Sequence, residues 1–274
     1  YRVVAELVYE LGATLMLGTD TFLRGYAKIA HPYDFHNIRL MYSGGEAAKS
    51  DTRSMWMEHS GVRMMEAYGA TECSPVMTAN NGIFNKFGSI GKIMPGMQFK
   101  ILPVDGIANG GELCVKGPNV MQGYYMPTNP GVLVPPEDGW YHTGDVVEID
   151  EIGFFTIKDR IKRFAKIGGE MVSLNAVQDM VVDATKEMGP EYSYGVVSIP
   201  HESKGEQIVL VTNNEKVTSA MLHEYVKNNG MSELYLPRVI LYHEKLPVFA
   251  TGKADNVTLK KEVMAELCSV ENAA

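Results

Sequence analysis

Residues 141–170 have the sequence YHTGDVVEIDEIGFFTIKDRIKRFAKIGGE, which contains a predicted hairpin and the predicted boundary between two domains. Apolar and polar residues alternate over 146–150, and residues 154–157 are aromatic or β-branched. Both segments are therefore predicted to be strands, with a turn at 150–153 between them. In an antiparallel pair the start of the first strand lies beside the end of the second, so Asp145 should lie within about two residues of register with Arg160.

The predicted pair of Asp145 and Arg160 has two interpretations. A carboxylate can accept from both hydroxyls of a sugar, and a planar guanidinium can donate to a ribose hydroxyl or a phosphate, so the pair could hold a nucleotide. The alternative is an ordinary surface salt bridge, which the pair taken alone favours.

A basic segment follows Arg160 and ends in the pair Gly168-Gly169, which is typical of a connector between domains. We predict an α/β subdomain over 1–87, a small β-rich subdomain over 88–160 and a compact α+β domain over 161–274. The fold class is α/β plus α+β.

The composition is that of a globular protein, with 45% apolar and 21% charged residues among 274. The net charge of -8 argues against a general nucleic-acid binder. Cys73, Cys114 and Cys268 are widely spaced and form no cluster with histidine in the sequence, so neither disulfides nor a zinc site is expected. No apolar run reaches the roughly 18 residues that span a bilayer. The start lacks an initiator Met, and we expect the chain to be cut from a longer protein.

Two loops follow predicted strands in the first third of the chain. A predicted buried strand at 13–17 and strands at 38–42 and 62–66 give an α/β rhythm, and the loops SGGE and YGATE follow the last two. Both loops leave the carboxyl ends of their strands, and ligands bind at the carboxyl edge of an open α/β sheet. Tyr68 could present its ring to an adenine, Thr71 its hydroxyl to a phosphate and Glu72 a carboxylate to magnesium. The alternative is that Tyr68 is core and Glu72 a helix N-terminal charge.

The last third is predicted to be a compact α+β unit. Ser173 and Thr218 are expected to cap helices, and 192–199, 207–212 and 239–242 are expected to be strands. A loop near the end places Lys253 directly after a glycine. A lysine in such a loop is ordinarily a solvated surface residue.

The motifs occur in one order along nearly the whole chain: SGGE at 43–46, YGATE at 68–72, YHTGD at 141–145, the hairpin Arg160, KIGGE at 166–170 and TGK at 251–253. This order resembles the adenylate-forming enzymes, the superfamily of acyl-CoA synthetases and firefly luciferase. Sequences such as HPYDFHNIRLMYSGGE and KGPNVMQGYY more narrowly resemble the acyl-ACP synthetase region of bacterial bifunctional 2-acylglycerophosphoethanolamine acyltransferase/acyl-ACP synthetases.

The resemblance implies a partial large domain followed by a mobile carboxyl-terminal domain, and a reaction in two steps. A fatty acid and ATP would form an acyl-adenylate, and a phosphopantetheine thiol would then take the acyl group. The implied catalytic residues are Lys253 and Thr71, the Mg²⁺ ligand is Glu72, the hinge is Lys162, and Lys166 and Gly169 lie on the thiol-transfer face. The implied ATP/AMP-binding residues are Gly45, Glu46, Ala47, Tyr68, Gly69, Ala70, Thr71, Asp145 and Arg160.

The resemblance also implies partners and a location. The partners would be acyl carrier protein, a fatty acid and a missing amino-terminal half with the acyltransferase domain and the phosphate-binding loop, but no nucleic acid. The full-length protein would act at the cytoplasmic face of the bacterial inner membrane, and the fragment would be soluble. A long-chain acyl-CoA synthetase, a nucleotide sensor without catalysis and a carrier-docking module remain alternatives.

Overall fold

The computed structural model of the chain describes residues 1–107, 109–189, 191–201, 203, 205–249 and 254–271. It divides into two compact units. The first contains Tyr1–Val104 and Asn109–Lys158, and the second contains Asp105–Ala108 and Asp159–Ala274.

A mixed five-stranded sheet organises the first part of the first unit. Its strands, in spatial order, are β1 Leu15–Gly18, β2 Leu40–Ser43, β3 Met64–Gly69, β4 Val76–Ala79 and β5 Lys92–Ile93. The first three are parallel, and the last two pair antiparallel. Since parallel strands need helical crossovers, this arrangement confirms the predicted α/β rhythm.

Three helices accompany this sheet: α1 Arg2–Glu10, α2 Asp20–Ile29 and α3 Ser50–Ser60. The Thr19 side chain accepts from Phe22 N and caps α2. A core of Leu23, Phe35, Met41 and Trp56 is almost fully buried, and Trp56 Nε1 donates to Leu23 O at 3.1 Å. This core fixes the sheet from which the two loops emerge.

A strand is present where one was predicted at 13–17, but the prediction that it is buried is wrong. Leu15 is 52% exposed and Leu17 is 69% exposed, whereas Met16 between them is buried. The strand lies at the edge of the sheet, and alternate residues of a strand point to opposite faces. Only one face of β1 is covered in the first unit.

A second sheet contains the hairpin predicted around the turn at 150–153. Its spatial order is β11, β10, β7, β6, where β6 is Gln98–Leu102, β7 is Gly111–Lys116, β10 is Tyr141–Ile149 and β11 is Phe155–Arg160. A separate two-stranded ribbon joins β8 Tyr124–Tyr125 to β9 Leu133–Val134. The predicted turn is confirmed, because Asp150 N donates to Phe154 O at 3.1 Å and Gly153 N donates to Asp150 O at 3.0 Å.

The second unit is built on β12 Phe164–Ile167, β13 Glu170–Ser173, β14 Tyr194–His201, β15 Gly205–Thr212 and β16 Val239–Tyr242, with helices α4 Leu174–Ala184, α5 Ser219–Asn228 and α6 Asn256–Glu271. Ser173 and Thr218 cap α4 and α5 as predicted. Along β15, Ile208 and Leu210 join the cluster with α4 and α5, whereas the alternate residues Val209 and Val211 join the cluster with α6. The strand is apolar on both faces because helices cover both. Within the described ranges, no helix combines the length and the apolarity needed to cross a bilayer.

Candidate functional site

The loop after β2 places Glu46 against the beginning of α2. Its carboxylate accepts from Thr21 N at 2.7 Å and from Thr21 Oγ1 at 3.2 Å. Gly44 N donates to Gly18 O at 3.0 Å, which ties the start of the loop to the end of β1. The Gly45–Ala47 segment thus lies at the carboxyl edge of the parallel strands, where it was predicted, with Ala47 exposed.

The YGATE loop leaves β3 through a backbone approach that only glycine permits. A Cβ on Gly69 would lie 2.0 Å from the Pro75 carbonyl oxygen, which is far inside van der Waals contact. Ala70 N donates to Pro75 O at 2.9 Å, and Thr71 then begins a short 3-10 turn over Thr71–Cys73. Thr71 is exposed, and Glu72 is partly buried beside it.

A hydrogen bond between Tyr68 and Asp145 joins the YGATE motif to the YHTGD segment of β10. The Tyr68 hydroxyl donates to Asp145 Oδ2, across 77 residues of sequence. Asp145 is 5% exposed, so the hydrogen bond holds a buried carboxylate. YGATE and YHTGD therefore meet within the first unit.

The turn before Asp145 is a bulge in β10. The register of β10 against β7 shifts between His142 and Val146. Thr143 Oγ1 donates to Leu113 O at 2.8 Å and accepts from Asp145 N at 3.0 Å, and Gly144 has φ +70°. A bulge redirects a side chain out of the regular pleat, and this one fixes the position of the Asp145 carboxylate.

Glu72 is held by a tyrosine from the ribbon of β8 and β9. Tyr124 Oη donates to Glu72 Oε1 at 2.5 Å, and Met121 N donates to Glu72 O at 2.7 Å. The Tyr124 hydroxyl is the main cause that lowers the pKa of Glu72 below its ordinary value. Burial and the negative charge of Glu72 raise the pKa of Tyr141. Glu72 is accordingly an ionised oxygen donor at neutral pH.

The predicted connector is anchored in the second unit through Asp159 and Arg163. Asn175 Nδ2 donates to Asp159 Oδ1 at 2.6 Å, and the Arg163 guanidinium donates to Asn175 Oδ1 at 2.9 and 3.1 Å and to Val196 O at 2.7 Å. Burial raises the pKa of Asp159 against the opposing hydrogen bond from Ser173. Arg163 is thus part of an internal network, whereas the neighbouring Lys162 is exposed.

The remaining predicted residues lie in separate places. Lys166 is exposed on β12 and its backbone N–H donates to Glu206 Oε2 at 2.7 Å, while Gly169 lies in the turn between β12 and β13. Arg160 is the last residue of β11 and begins the second unit with Asp159, and its pairing with Asp145 stays a prediction. Lys253 lies outside the described residues.

Sequence reasoning missed three contacts in the first unit. The pairs Tyr68 with Asp145 and Tyr124 with Glu72 depend on tertiary packing that no local pattern signals. In the third contact Cys114 Sγ lies 3.4 Å from His142 Nδ1, although the two residues are far apart in the sequence. The signal that could have found it is the alternation of GELC along β7, which places Glu112 and Cys114 on one face.

Comparison with known proteins agrees with this geometry. Residues 2–125 match a family model described as AMP-binding enzyme. A long-chain-fatty-acid–CoA ligase of Salmonella typhimurium is 31% identical over 279 residues, which covers 97% of this chain and 48% of the relative. The chain therefore spans about half the length of the curated relatives it matches.

Solved structures share the fold. O-succinylbenzoate coenzyme A synthetase from Bacillus subtilis, in complex with AMP, matches this chain with a TM-score of 0.73 and 25% identity. The match covers 94% of this chain and 53% of the synthetase chain. ATP-bound MatB from Rhodopseudomonas palustris has a TM-score of 0.72 and 23% identity over the same shares. Both likenesses support the assignment of the fold as mixed α/β with only part of the large domain present.

Proposed function

We propose that this chain belongs to the AMP-binding enzyme superfamily, whose family model matches residues 2–125. We propose further that its protein activates a long-chain fatty acid with ATP and transfers the acyl group to a phosphopantetheine thiol. The observation that carries the proposal is the hydrogen bond from Tyr68 to the buried Asp145, which joins the two motif loops. The names of the similar ligases support a fatty acid as the substrate.

In the first step the fatty acid carboxylate attacks the α-phosphate, and pyrophosphate leaves. Asp145 accepts from the ribose hydroxyls and Arg160 supports the ribose, while Tyr68 packs its ring on the adenine. The backbone of Gly45–Ala47 and Gly69–Ala70 lines the nucleotide, and Thr71 donates to the α-phosphate. Such chemistry depends on positioning and on stabilising the charge that gathers in the transition state.

Glu72 is the proposed ligand for Mg²⁺. Glu72 offers a hard carboxylate oxygen as the ligand atom, and its lowered pKa keeps the carboxylate ionised. The residue therefore fits an ion that prefers oxygen ligands. Mg²⁺, when bound, neutralises charge on the phosphates. The Tyr124 hydroxyl fixes the position of the carboxylate.

Four proposed residues act through the carboxyl-terminal domain, and we propose the domain divisions 1–87, 88–160 and 161–274. Lys253 approaches the α-phosphate and the attacking carboxylate during adenylation. The domain then turns on Lys162 and presents Lys166 and Gly169 to the thiol. Lys162 suits this role because it is exposed and lies between β11 and the network anchored by Arg163.

In the second step the thiolate attacks the acyl carbon, and AMP leaves. We propose acyl carrier protein as the thiol donor and lysophospholipid reacylation as the use of the product, with an acyltransferase domain in the same protein at the membrane. Exposed Lys162 and Lys166 provide cations for an acidic carrier. Coenzyme A is the second candidate, which the names of the relatives favour.

ATP–pyrophosphate exchange with a long-chain fatty acid tests the first step in the complete protein that carries this chain. Exchange that depends on the fatty acid supports the ligase, and binding of ATP without exchange would instead support a sensor or a docking module. Synthetic acyl-adenylate supplied with either holo-carrier protein or coenzyme A then identifies the acceptor. A product formed only with coenzyme A would overturn the assignment of acyl carrier protein.

A further inference from the structure

Three metal-ligating side chains meet on one face of the pair β7 and β10. Glu112 and Cys114 are two residues apart on β7, so they point to the same face. His142 lies directly opposite Cys114 in the antiparallel register. The nucleotide chemistry proposed above uses none of these side chains.

The distances within this Glu112–Cys114–His142 cluster are close to those around a tetrahedral ion. His142 Nδ1 lies 3.1 Å from Glu112 Oε2 and 3.4 Å from Cys114 Sγ. The donor atoms all lie within 4.8 Å of one another. Tetrahedral zinc, with bonds of about 2.1 Å to N and O and about 2.3 Å to S, separates N from O by about 3.4 Å and N from S by about 3.6 Å. The two separations from His142 Nδ1 therefore differ from the tetrahedral values by a few tenths of an ångström, and the Glu112 and Cys114 donor atoms lie within 4.8 Å of each other.

We propose that the Glu112–Cys114–His142 cluster binds a thiophilic divalent cation of the Zn²⁺ class, with water as the fourth ligand. A thiolate, an imidazole and a carboxylate form a ligand set for zinc, whereas Mg²⁺ prefers oxygen alone. The site differs from the Mg²⁺ ligand Glu72 in residues and in chemistry. His142 has 45% of its side chain exposed, which gives the ion an entry from solvent.

Binding exchanges a proton for the ion. In the absence of a metal, burial and the charge of Glu112 raise the pKa of Cys114 to about 11, so the thiol is protonated at neutral pH. The ion takes the sulfur lone pair and the thiol proton passes to solvent. Lys100 of β6 lies opposite Cys114 of β7. Its Nζ lies 4.6 Å from the centroid of the Trp140 ring, and the face of this ring attracts the positive charge.

The bound ion would connect the cluster to the turn before Asp145. The second oxygen of Glu112 accepts from Gly144 N at 3.2 Å, so a single carboxylate contacts both the ion and the turn. A competing explanation is that Glu112 and His142 only form a structural hydrogen bond. That explanation requires no bond between a cation and the Cys114 sulfur, so the two differ in whether a cation binds to the sulfur.

Titration of the 274-residue chain with Co²⁺ tests the proposal, because cobalt replaces zinc in such sites and shows a sulfur-to-metal charge-transfer band. We expect one ion per chain, tetrahedral absorption, and displacement by Zn²⁺. Cys114→Ser should abolish the band, and His142→Ala and Glu112→Gln should each weaken binding by at least about tenfold. Cys268→Ser, which changes an exposed cysteine outside the cluster, is the matched control and should bind normally.

A missing band, a band that persists in Cys114→Ser, or unchanged affinity in His142→Ala would overturn the proposal. Loss of the band in Cys268→Ser would do the same. Circular dichroism shows whether Cys114→Ser folds. If it does not, His142→Ala decides, because this exposed side chain can be removed without opening the core. Pyrophosphate exchange is measured separately, so failure of the metal site and failure of the proposed ligase are distinguishable.

Discussion

Replacement of Tyr68 by Phe removes one hydroxyl and keeps the ring. The hydroxyl donates to Asp145, whose carboxylate is 5% exposed, so the variant leaves a buried charge without this donor. Hydrogen bonds to charged groups contribute about 1.5–3 kcal/mol, and we expect the free energy of unfolding of the first unit to fall by that amount.

Urea unfolding followed by tryptophan fluorescence measures this change in the right unit. The chain has two tryptophans, Trp56 and Trp140, and both belong to the first unit. Tyr124→Phe is the matched control, since it also removes a hydroxyl that donates to a carboxylate, but Tyr124 is 46% exposed. The control should change the free energy of unfolding by no more than about 0.5 kcal/mol.

A double-mutant cycle with Asp145→Asn isolates the pair. We expect a coupling energy of about 1 kcal/mol or more between positions 68 and 145, since contacting residues are not additive. If Tyr68→Phe destabilises no more than Tyr124→Phe, or if the two changes are additive, the reasoning about the buried carboxylate is wrong.

Three further predictions concern the remaining parts of the site. Arg163→Ala should lower the free energy of unfolding of the second unit by about 2–3 kcal/mol, because it leaves the buried Val196 carbonyl without its donor. Lys162→Ala should change this free energy by no more than about 0.5 kcal/mol. Hydrogen exchange in β12 measures both variants, and equal effects would refute the network. Tyr124→Phe should raise the pKa of Glu72. A lowered pKa stabilises the folded state above the unfolded pKa, and this stabilisation is lost as pH falls through the folded pKa. The variant should therefore be less stable than the wild type near neutral pH, within the limit of about 0.5 kcal/mol given above, and converge with it in acid. An unchanged NMR titration of Glu72 would contradict this. Lys253→Ala in the complete protein should slow adenylation by about 10²-fold or more and largely spare thioester formation from supplied acyl-adenylate. An equal loss of rate in both half-reactions would rule out the role proposed for Lys253.

Local patterns predict the elements of this chain better than they predict its contacts. The turn at 150–153 and the caps at Ser173 and Thr218 were predictable because each depends on a few neighbouring residues. The exposed edge of β1 was not predictable, because LMLG is equally suited to a strand covered on both faces. Which face is covered depends on the neighbouring elements.

The candidate site shows the same division. The SGGE and YGATE loops could be identified from glycine and polar residues after predicted strands, whereas the bond from Tyr68 to Asp145 arises from packing between segments 77 residues apart. The basic run after Arg160 suggests a solvated connector, yet Arg163 is drawn into the second unit by Asn175 and the Val196 carbonyl. Charge in the sequence does not tell whether a guanidinium is exposed.

Calorimetric titration of the 274-residue chain with AMP tests whether the YGATE and YHTGD segments, which Tyr68 and Asp145 join, form a nucleotide site. We predict measurable AMP binding by the wild type and its loss in Asp145→Ala and in Asp145→Asn, with the fold of each variant checked by circular dichroism. AMP binding of equal affinity in the folded variants would contradict the account.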